Sequence, residues 1–236
     1  MTYETQKNKI NILSTAPLSR QLIEQAAKYD IVIDERSFIE TKLVEDKKIT
    51  DKIEGYIQQD VTAVFTSMNA VNAIVKHLKQ SPRWKIYCVG NTTKKLIVDY
   101  FGRDSIKGVA ANAAELAEVI IKDTVNCAVF FCGDRRRNEL SEKLKHHYVV
   151  IDELVVYTTH EMPVLIDRKY DGILFFSPSA VQSFFSVNKL NNETKLFATG
   201  STTAKAIKQY NENTVITPGS PGKENMIREV VEYYGK

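Results

Sequence analysis

Small polar residues follow several apolar segments of this 236-residue chain, at positions where parallel strands would lead into helices. Hydroxyl and amide side chains at such positions cap helices, and the free N–H groups of a first helical turn attract anions. These loops therefore suit a ligand that carries carboxylates. The candidate binding residues are Ser67, Asn69, Gly90, Thr93, Ser177, Ser179, Gly200, Thr202 and Thr203. Helix capping alone explains any single loop, so the case for binding depends on their repetition.

The chain contains such a repetition. Two stretches of 36 residues, which begin at Phe65 and Phe175, align without a gap at an offset of 110. A second repeat, at an offset of 118, places the sequence Ile-Asp-Glu at both Ile33 and Ile151. Two similar α/β units on one chain make a cleft between them the first place to look for a ligand.

Three further side chains are candidates for chemistry. Tyr157 lies in an extended segment, where a neutral phenol can donate a proton or a hydrogen bond; an ordinary packed tyrosine is the alternative. Arg136 belongs to a run of three arginines that can gather carboxylates, unless the run is only a solvated cluster. The same arginines could lower the pKa of the Cys132 thiol, although a buried thiol at a strand end is the simpler interpretation.

The composition argues against several classes of protein. A formal net charge of +3, without an aromatic-basic pattern, argues against nucleic acid as a partner. No apolar run approaches the roughly 18 residues that span a bilayer, so we expect no membrane partner. The three cysteines lie in or beside apolar strands, which favours reduced, buried thiols. The four histidines are scattered, so we expect no metal site. The polar segment Met1–Lys9 does not resemble a signal peptide, and we expect a cytoplasmic protein.

Strands that alternate with single helices predict an α/β fold with parallel sheets covered by helices on both faces. Two longer extended segments, Ile31–Thr41 and Val149–Thr159, are predicted to connect the two units. Both are rich in β-branched residues and alternate with polar ones, so they can pair as a two-stranded ribbon.

The order and spacing of these motifs resemble the uroporphyrinogen-III synthase family over nearly the whole chain. The residues that carry the resemblance are Phe65-Thr66-Ser67-x-x-Ala70-Val71, Val89-Gly90-x-x-Thr93, the loop from Gly133 to Arg136 or Arg137, Val156-Tyr157-x-Thr159, Phe176-Ser177-Pro178-Ser179-x-Val181 and Gly200-x-Thr202-Thr203-Ala204. The resemblance implies two flavodoxin-like parallel-sheet α/β domains, each with five strands, joined by a two-stranded β-ladder. The implied domains are residues 1–35 plus 160–236, and 42–148, with connecting strands at 36–41 and 149–159.

The same resemblance implies that the linear tetrapyrrole hydroxymethylbilane is cyclised to uroporphyrinogen III in the inter-domain cleft, with loss of water, inversion of ring D and no cofactor. It implies Tyr157 as the catalytic residue that assists departure of the hydroxyl group. The loop residues named above, with Arg136, would bind the carboxylates of the substrate, and Lys195 either assists or only supports the fold. The chain departs from many relatives at Met68-Asn69, where they carry Pro-Arg, and the arginines at 135–137 could compensate.

A non-enzymatic two-lobed binding or sensor protein for a small polyanionic ligand is the alternative. The duplication suits such a protein, and no strong acid or base stands out in the sequence. In either case we expect a monomer.

Overall fold

The computed structural model describes residues 9–235 and divides into two compact units. The first unit runs up to Glu40 and resumes at His160, and the second unit is Thr41–Thr159. The polar segment Met1–Lys9 lies outside the described residues, apart from its last residue. Within residues 9–235, none of the helices is long and apolar enough to cross a membrane.

Strands and single helices alternate along most of the chain. The strands are β1 (Ile10–Ser14), β2 (Ile31–Glu35), β3 (Ile39–Leu43), β4 (Thr62–Phe65), β5 (Lys85–Val89), β6 (Ile106–Ala110), β7 (Cys127–Gly133), β8 (Val150–Glu161), β9 (Gly172–Phe175), β10 (Lys195–Ala198) and β11 (Val215–Ile216). The helices are α1 (Arg20–Ala27), α2 (Lys47–Ile57), α3 (Met68–Val75), α4 (Asn91–Phe101), α5 (Ala113–Lys122), α6 (Glu139–His146), α7 (Pro178–Phe185), α8 (Ser201–Ile207) and α9 (Lys223–Tyr234).

The two sheets repeat one strand order. The first unit has the order β2-β1-β9-β10-β11, with parallel neighbours throughout. The second has the parallel order β8-β7-β4-β5-β6 and a sixth strand, β3, at the edge beside β8. The predicted class, α/β with two parallel-sheet domains, is confirmed. The second sheet has six strands, whereas the resemblance implies five.

Apolar clusters cover both faces of the second sheet. One face carries the Phe131 cluster, which includes Phe65, Val129, Leu154 and Val156. The other carries the Phe130 cluster, whose members include Val64, Ala128, Cys132, Leu140 and Val155. Because these strands are buried on both faces, they appear in the sequence as continuous apolar runs rather than as alternating ones.

The repeated Ile-Asp-Glu sequence makes similar contacts in both units. Asp34 accepts a hydrogen bond from the Tyr170 hydroxyl at 2.9 Å, and Asp152 accepts one from the Tyr56 hydroxyl at 2.5 Å. Each aspartate also pairs with a basic side chain. In both units the aspartate therefore binds the polypeptide that precedes the middle strand of the five-stranded parallel array, β9 in the first unit and β4 in the second.

The predicted continuous connector Ile31–Thr41 is wrong. Its first part is β2, which lies in the parallel sheet of the first unit, and the second part begins a new strand at Ile39. Between the two, the side chain of Phe38 is fully buried in the core of the first unit, which turns the chain away from a straight path. The predicted pairing of the two connectors is confirmed, since β3 neighbours β8 and the Val44 N–H donates to the Val156 carbonyl at 3.1 Å.

Strand β6 was not predicted, because its sequence Ile-Lys-Gly-Val-Ala contains no apolar run. Gly108 lies where other atoms leave no room for a side chain. A Cβ there would be 2.6 Å from Cδ1 of Tyr87 and 2.7 Å from Cγ1 of Val119. The Tyr87 ring cannot easily move away, because its hydroxyl donates to Asp123 at 2.8 Å.

Gly108→Ala should therefore lower the free energy of unfolding by about 1–3 kcal/mol, the usual cost of overpacking a core. Gly55→Ala is the matched control, since Gly55 lies within α2 and a Cβ there would meet nothing within 4 Å. It should raise the free energy of unfolding by up to about 1 kcal/mol. Urea denaturation measures whether each substitution lowers or raises the free energy of unfolding. Equal changes in the two variants would contradict the conclusion that Gly108 has no room for a side chain.

Candidate functional site

The loops that follow β7, β4 and β5 lie side by side in the second unit. These strands are parallel neighbours, and the C-terminal ends of parallel strands lie along the same edge of their sheet, here called the carboxyl edge. The loop after β4 carries Ser67 and Asn69, and the loop after β5 carries Gly90 and Thr93. The loop after β7 carries Arg136. The first unit arranges Ser177, Ser179, Gly200, Thr202 and Thr203 in the same way, after the neighbouring strands β9 and β10.

Tyr157 joins this edge by a direct contact. Its hydroxyl donates a hydrogen bond to Oγ of Ser67 at 3.0 Å, and the same Oγ accepts the Asn69 N–H at 3.1 Å. The structure thus brings together three predicted site residues at the N-terminus of α3. A serine hydroxyl can accept two hydrogen bonds and donate one. Since both acceptor positions of Ser67 are used, its own hydrogen is left to donate to a ligand oxygen.

The phenol of Tyr157 is half-buried. Burial raises its pKa above the ordinary value of about 10, and the contact with Ser67 offsets only part of this effect. The phenol is therefore protonated at neutral pH and can act as a donor.

Two kinds of helix N-terminus occur in both units. Ser67 and Ser177 cap α3 and α7 with their hydroxyls, so capping is correct for these two serines. Gly90 and Gly200 precede α4 and α8 without any side-chain cap. Gly90 has a φ of 78°, a conformation that favours glycine. The N-cap residue of α4 therefore offers the N–H groups of the first turn no side-chain acceptor.

Two predicted binding residues are less accessible than the sequence suggested. Thr93 and Thr203 are only 6% and 3% exposed, so their hydroxyls are poorly placed for a bulky ligand. Thr202 and Ser179 are half-buried, and Asn69 is exposed. Contacts at Thr93 would therefore have to come mainly from the backbone.

Lys195 is not brought to this edge. It is the first residue of β10, and its N–H donates to the Asp171 carbonyl at the start of the neighbouring strand. The loop with Gly200 follows the other end of β10. Lys195 therefore lies at the opposite edge of the sheet from the remaining candidates.

Arg136 already has a carboxylate partner. Its guanidinium contacts Oε2 of Glu153 at 2.6 and 2.7 Å, and Lys145 contacts the other oxygen at 2.9 Å. Burial by itself would raise the pKa of Glu153, but the hydrogen bonds and charges of Lys145 and Arg136 outweigh it, and the pKa is lowered. A substrate carboxylate would have to compete with this pair. Glu153 could not be identified from the sequence as the partner of Arg136, because nothing local indicates a contact between residues 17 positions apart.

The cysteines differ from one another. Burial raises the pKa of the Cys132 thiol to about 12, and the charge of Arg136 offsets only part of that increase. The net pKa is therefore raised, and the simpler interpretation of Cys132 as a buried thiol at a strand end is confirmed. Burial also raises the pKa of Cys88 to about 11. Cys127 is exposed, contrary to the expectation that all three thiols are buried. Within residues 9–235, no group of three His, Cys, Asp or Glu side chains could hold a metal ion.

Iodoacetamide should therefore label one cysteine in the folded protein at pH 8 and all three in denaturant, because the reactive species is the thiolate. The mass of the intact protein measures the number of labels. In Cys127→Ser the folded protein should remain unlabelled over the same time. Rapid labelling of that variant would contradict the burial of Cys88 and Cys132.

Comparisons with known proteins agree with this fold. The family model described as uroporphyrinogen-III synthase HemD matches residues 20–228. A protein of Rickettsia prowazekii (strain Madrid E), described as uncharacterized, is 23% identical over 177 residues. This match covers 75% of the chain and 60% of that protein, so the chain spans less than two thirds of the relative's length.

Two solved structures have a similar fold. A mutant uroporphyrinogen III synthase from the extremely thermophilic bacterium Thermus thermophilus has a TM-score of 0.65 at 13% identity, covering 95% of this chain and 97% of that one. Uroporphyrinogen-III synthetase from Helicobacter pylori 26695 has a TM-score of 0.65 at 15% identity, covering 95% and 99%. At these identities the similarity shows the fold alone, and the assignment to a family rests on the match to the family model.

Proposed function

The chain belongs to the uroporphyrinogen-III synthase family, and from that membership we propose that it cyclises hydroxymethylbilane to uroporphyrinogen III, with loss of water and inversion of ring D. It would thus act as a cyclising lyase. The observation that carries the proposal is the contact between the Tyr157 hydroxyl and Ser67 Oγ at the carboxyl edge of the second sheet. It places a protonated phenol beside hydrogen-bond donors that suit carboxylates.

The first step is departure of the terminal hydroxyl group. The C–O bond of the hydroxymethyl group breaks, and the oxygen leaves as water with a proton from Tyr157. The pyrrole nitrogen supplies the electron pair that forms the azafulvene, and its lost proton restores the phenol. For this step the Tyr157 hydroxyl must exchange Ser67 for the departing oxygen as its acceptor. The high pKa of the phenol makes it a donor throughout the neutral range.

The second step is attack by the terminal pyrrole ring through its substituted carbon. This gives a spiro intermediate, which fragments and closes again with ring D inverted. No oxidant or reductant is consumed, so the protein's task is to hold the substrate in a folded conformation. The free substrate closes without inversion, which makes conformational control the main requirement.

The carboxylates of the substrate provide the means of holding it. In the second unit we propose Ser67, Asn69, Gly90 and the backbone at Thr93 as their donors. Arg136 would also bind a substrate carboxylate, which would compete with Glu153 for the guanidinium group. In the first unit we propose Ser177, Ser179, Gly200, Thr202 and the backbone at Thr203. Hydroxyl and backbone N–H donors suit carboxylates, and hydrogen bonds to an ionised group are stronger than neutral ones. We also propose that the protein acts as a cytoplasmic monomer.

Tyr157→Phe should lower the rate of type III product formation by at least about tenfold, or roughly 1.4 kcal/mol. The control is Tyr56→Phe, which removes a hydroxyl that binds Asp152 on the same strand β8, away from the carboxyl edge. This control should keep the rate within about twofold. An unchanged rate in Tyr157→Phe would remove the role of Tyr157 as an acid.

The function itself is tested with hydroxymethylbilane made freshly by the preceding enzyme of the reaction sequence. The product is oxidised to the porphyrin, and the isomers are separated. The proposal expects the type III isomer in excess over the type I isomer of spontaneous closure. Type I alone, at the rate without protein, would favour the non-enzymatic alternative.

A further inference from the structure

Neighbouring residues of β7 and β8 point to opposite faces of the sheet, as the pleat requires. On β7, Phe131 and Phe130 belong to the two different apolar clusters defined above. On β8, Val156 packs in the Phe131 cluster and Val155 in the Phe130 cluster. If this alternation continued, Tyr157 would point to the same side as Val155.

A change of register prevents this. Cys132 pairs with Val155, but Gly133 pairs with Tyr157, which leaves Val156 as the extra residue of a β-bulge. A bulge reverses the phase of a strand and redirects the side chains beyond it. Tyr157 accordingly packs against the Phe131 cluster, and its hydroxyl reaches the N-terminus of α3.

Gly133 makes room for the redirected ring. A Cβ at Gly133 would lie 2.5 Å from Cζ, 2.6 Å from Cε2 and 2.8 Å from the hydroxyl oxygen of Tyr157. The ring therefore lies directly on the backbone of Gly133, and no other residue type would permit this position.

Asp134 binds β8 at Tyr157 and just beyond it. Its backbone N–H donates to the Tyr157 carbonyl at 3.2 Å, and its Oδ1 accepts the Thr159 N–H at 2.9 Å. The side chain is otherwise exposed, so it contributes little to the core. These two contacts hold β8 on either side of Thr158.

We propose that Asp134 is a positioning residue for the reaction: its carboxylate holds β8 just beyond the bulge and thereby fixes the direction of the Tyr157 phenol. The effect on rate rests on the proposed function, whereas the effect on the phenol does not. Asp134 itself touches no reacting atom and acts through Tyr157.

Asp134→Ala should lower kcat for type III product about tenfold, because a small displacement of a catalytic group has a large effect on rate. KM should change less than about twofold. Asp134→Asn keeps Oδ1 as an acceptor and should restore kcat to within about threefold. Asp134→Leu is similar in shape but lacks an acceptor, so it should behave like Asp134→Ala and serves as the second variant if that one does not fold.

A double mutant separates positioning from general damage. In the Tyr157→Phe background, Asp134→Ala should lower the rate by less than about twofold, because the group it positions is absent. An equal loss of rate in both backgrounds would overturn the proposal. Failure of Asp134→Asn to restore the rate would also overturn it.

NMR of protein with ¹³C-labelled tyrosine rings gives a readout that needs no activity. The Tyr157 signal, assigned from its loss in Tyr157→Phe, should shift in Asp134→Ala and remain in place in Asp134→Asn. The signals of the other ten of the eleven tyrosines should not move. An unmoved Tyr157 signal in Asp134→Ala would overturn the proposal. If the wild type yields only type I product, the proposed function fails, and this NMR result still decides whether Asp134 positions the phenol.

Discussion

The strands of each five-stranded parallel array all run the same way, so the chain returns over a face of the sheet before each new strand. Every strand then ends at the same edge. This constraint brings together loops that are far apart in the sequence, such as those after β4, β5 and β7. It also explains why small polar residues recur at intervals, since each of these loops begins a helix whose first N–H groups need acceptors. A candidate site at this edge is thus a consequence of parallel pairing.

The direction of a side chain at the end of a strand depends on a second constraint, the two-residue period of the pleat. One extra residue in a strand reverses the face of the sheet to which each following side chain points. In β8 the extra residue is Val156, and the residue that it redirects is Tyr157. Without the bulge the phenol would lie on the opposite face from Ser67. The site therefore depends on two separate features, the tyrosine side chain itself and the bulge that turns this side chain toward Ser67.

Local features were predictable from the sequence. Ser67 and Ser177 were identified as possible caps because capping depends on residues within one turn of helix, and Gly90 and Gly200 start helices for the same local reason. The parallel α/β class followed from the alternation of strands and helices. Features set by distant partners were not predictable, among them the pairing of Arg136 with Glu153. The bulge in β8 likewise depends on how β8 pairs with β7, and no sequence pattern within β8 indicates this register.

The duplicated units share one strand order, but they differ at the end of corresponding strands. In the first unit Glu35 ends β2 and accepts a backbone N–H from the loop before α1, and Phe38 then enters the core. In the second unit Glu153 likewise binds a residue of the loop before α6, but β8 continues through its bulge to Tyr157. Duplication thus supplied capped and uncapped helix starts twice, whereas the phenol depends on an extension that β2 lacks. Repeated donors suit the many carboxylates of the proposed substrate, and a single phenol suits the departure of one hydroxyl group in the proposed reaction.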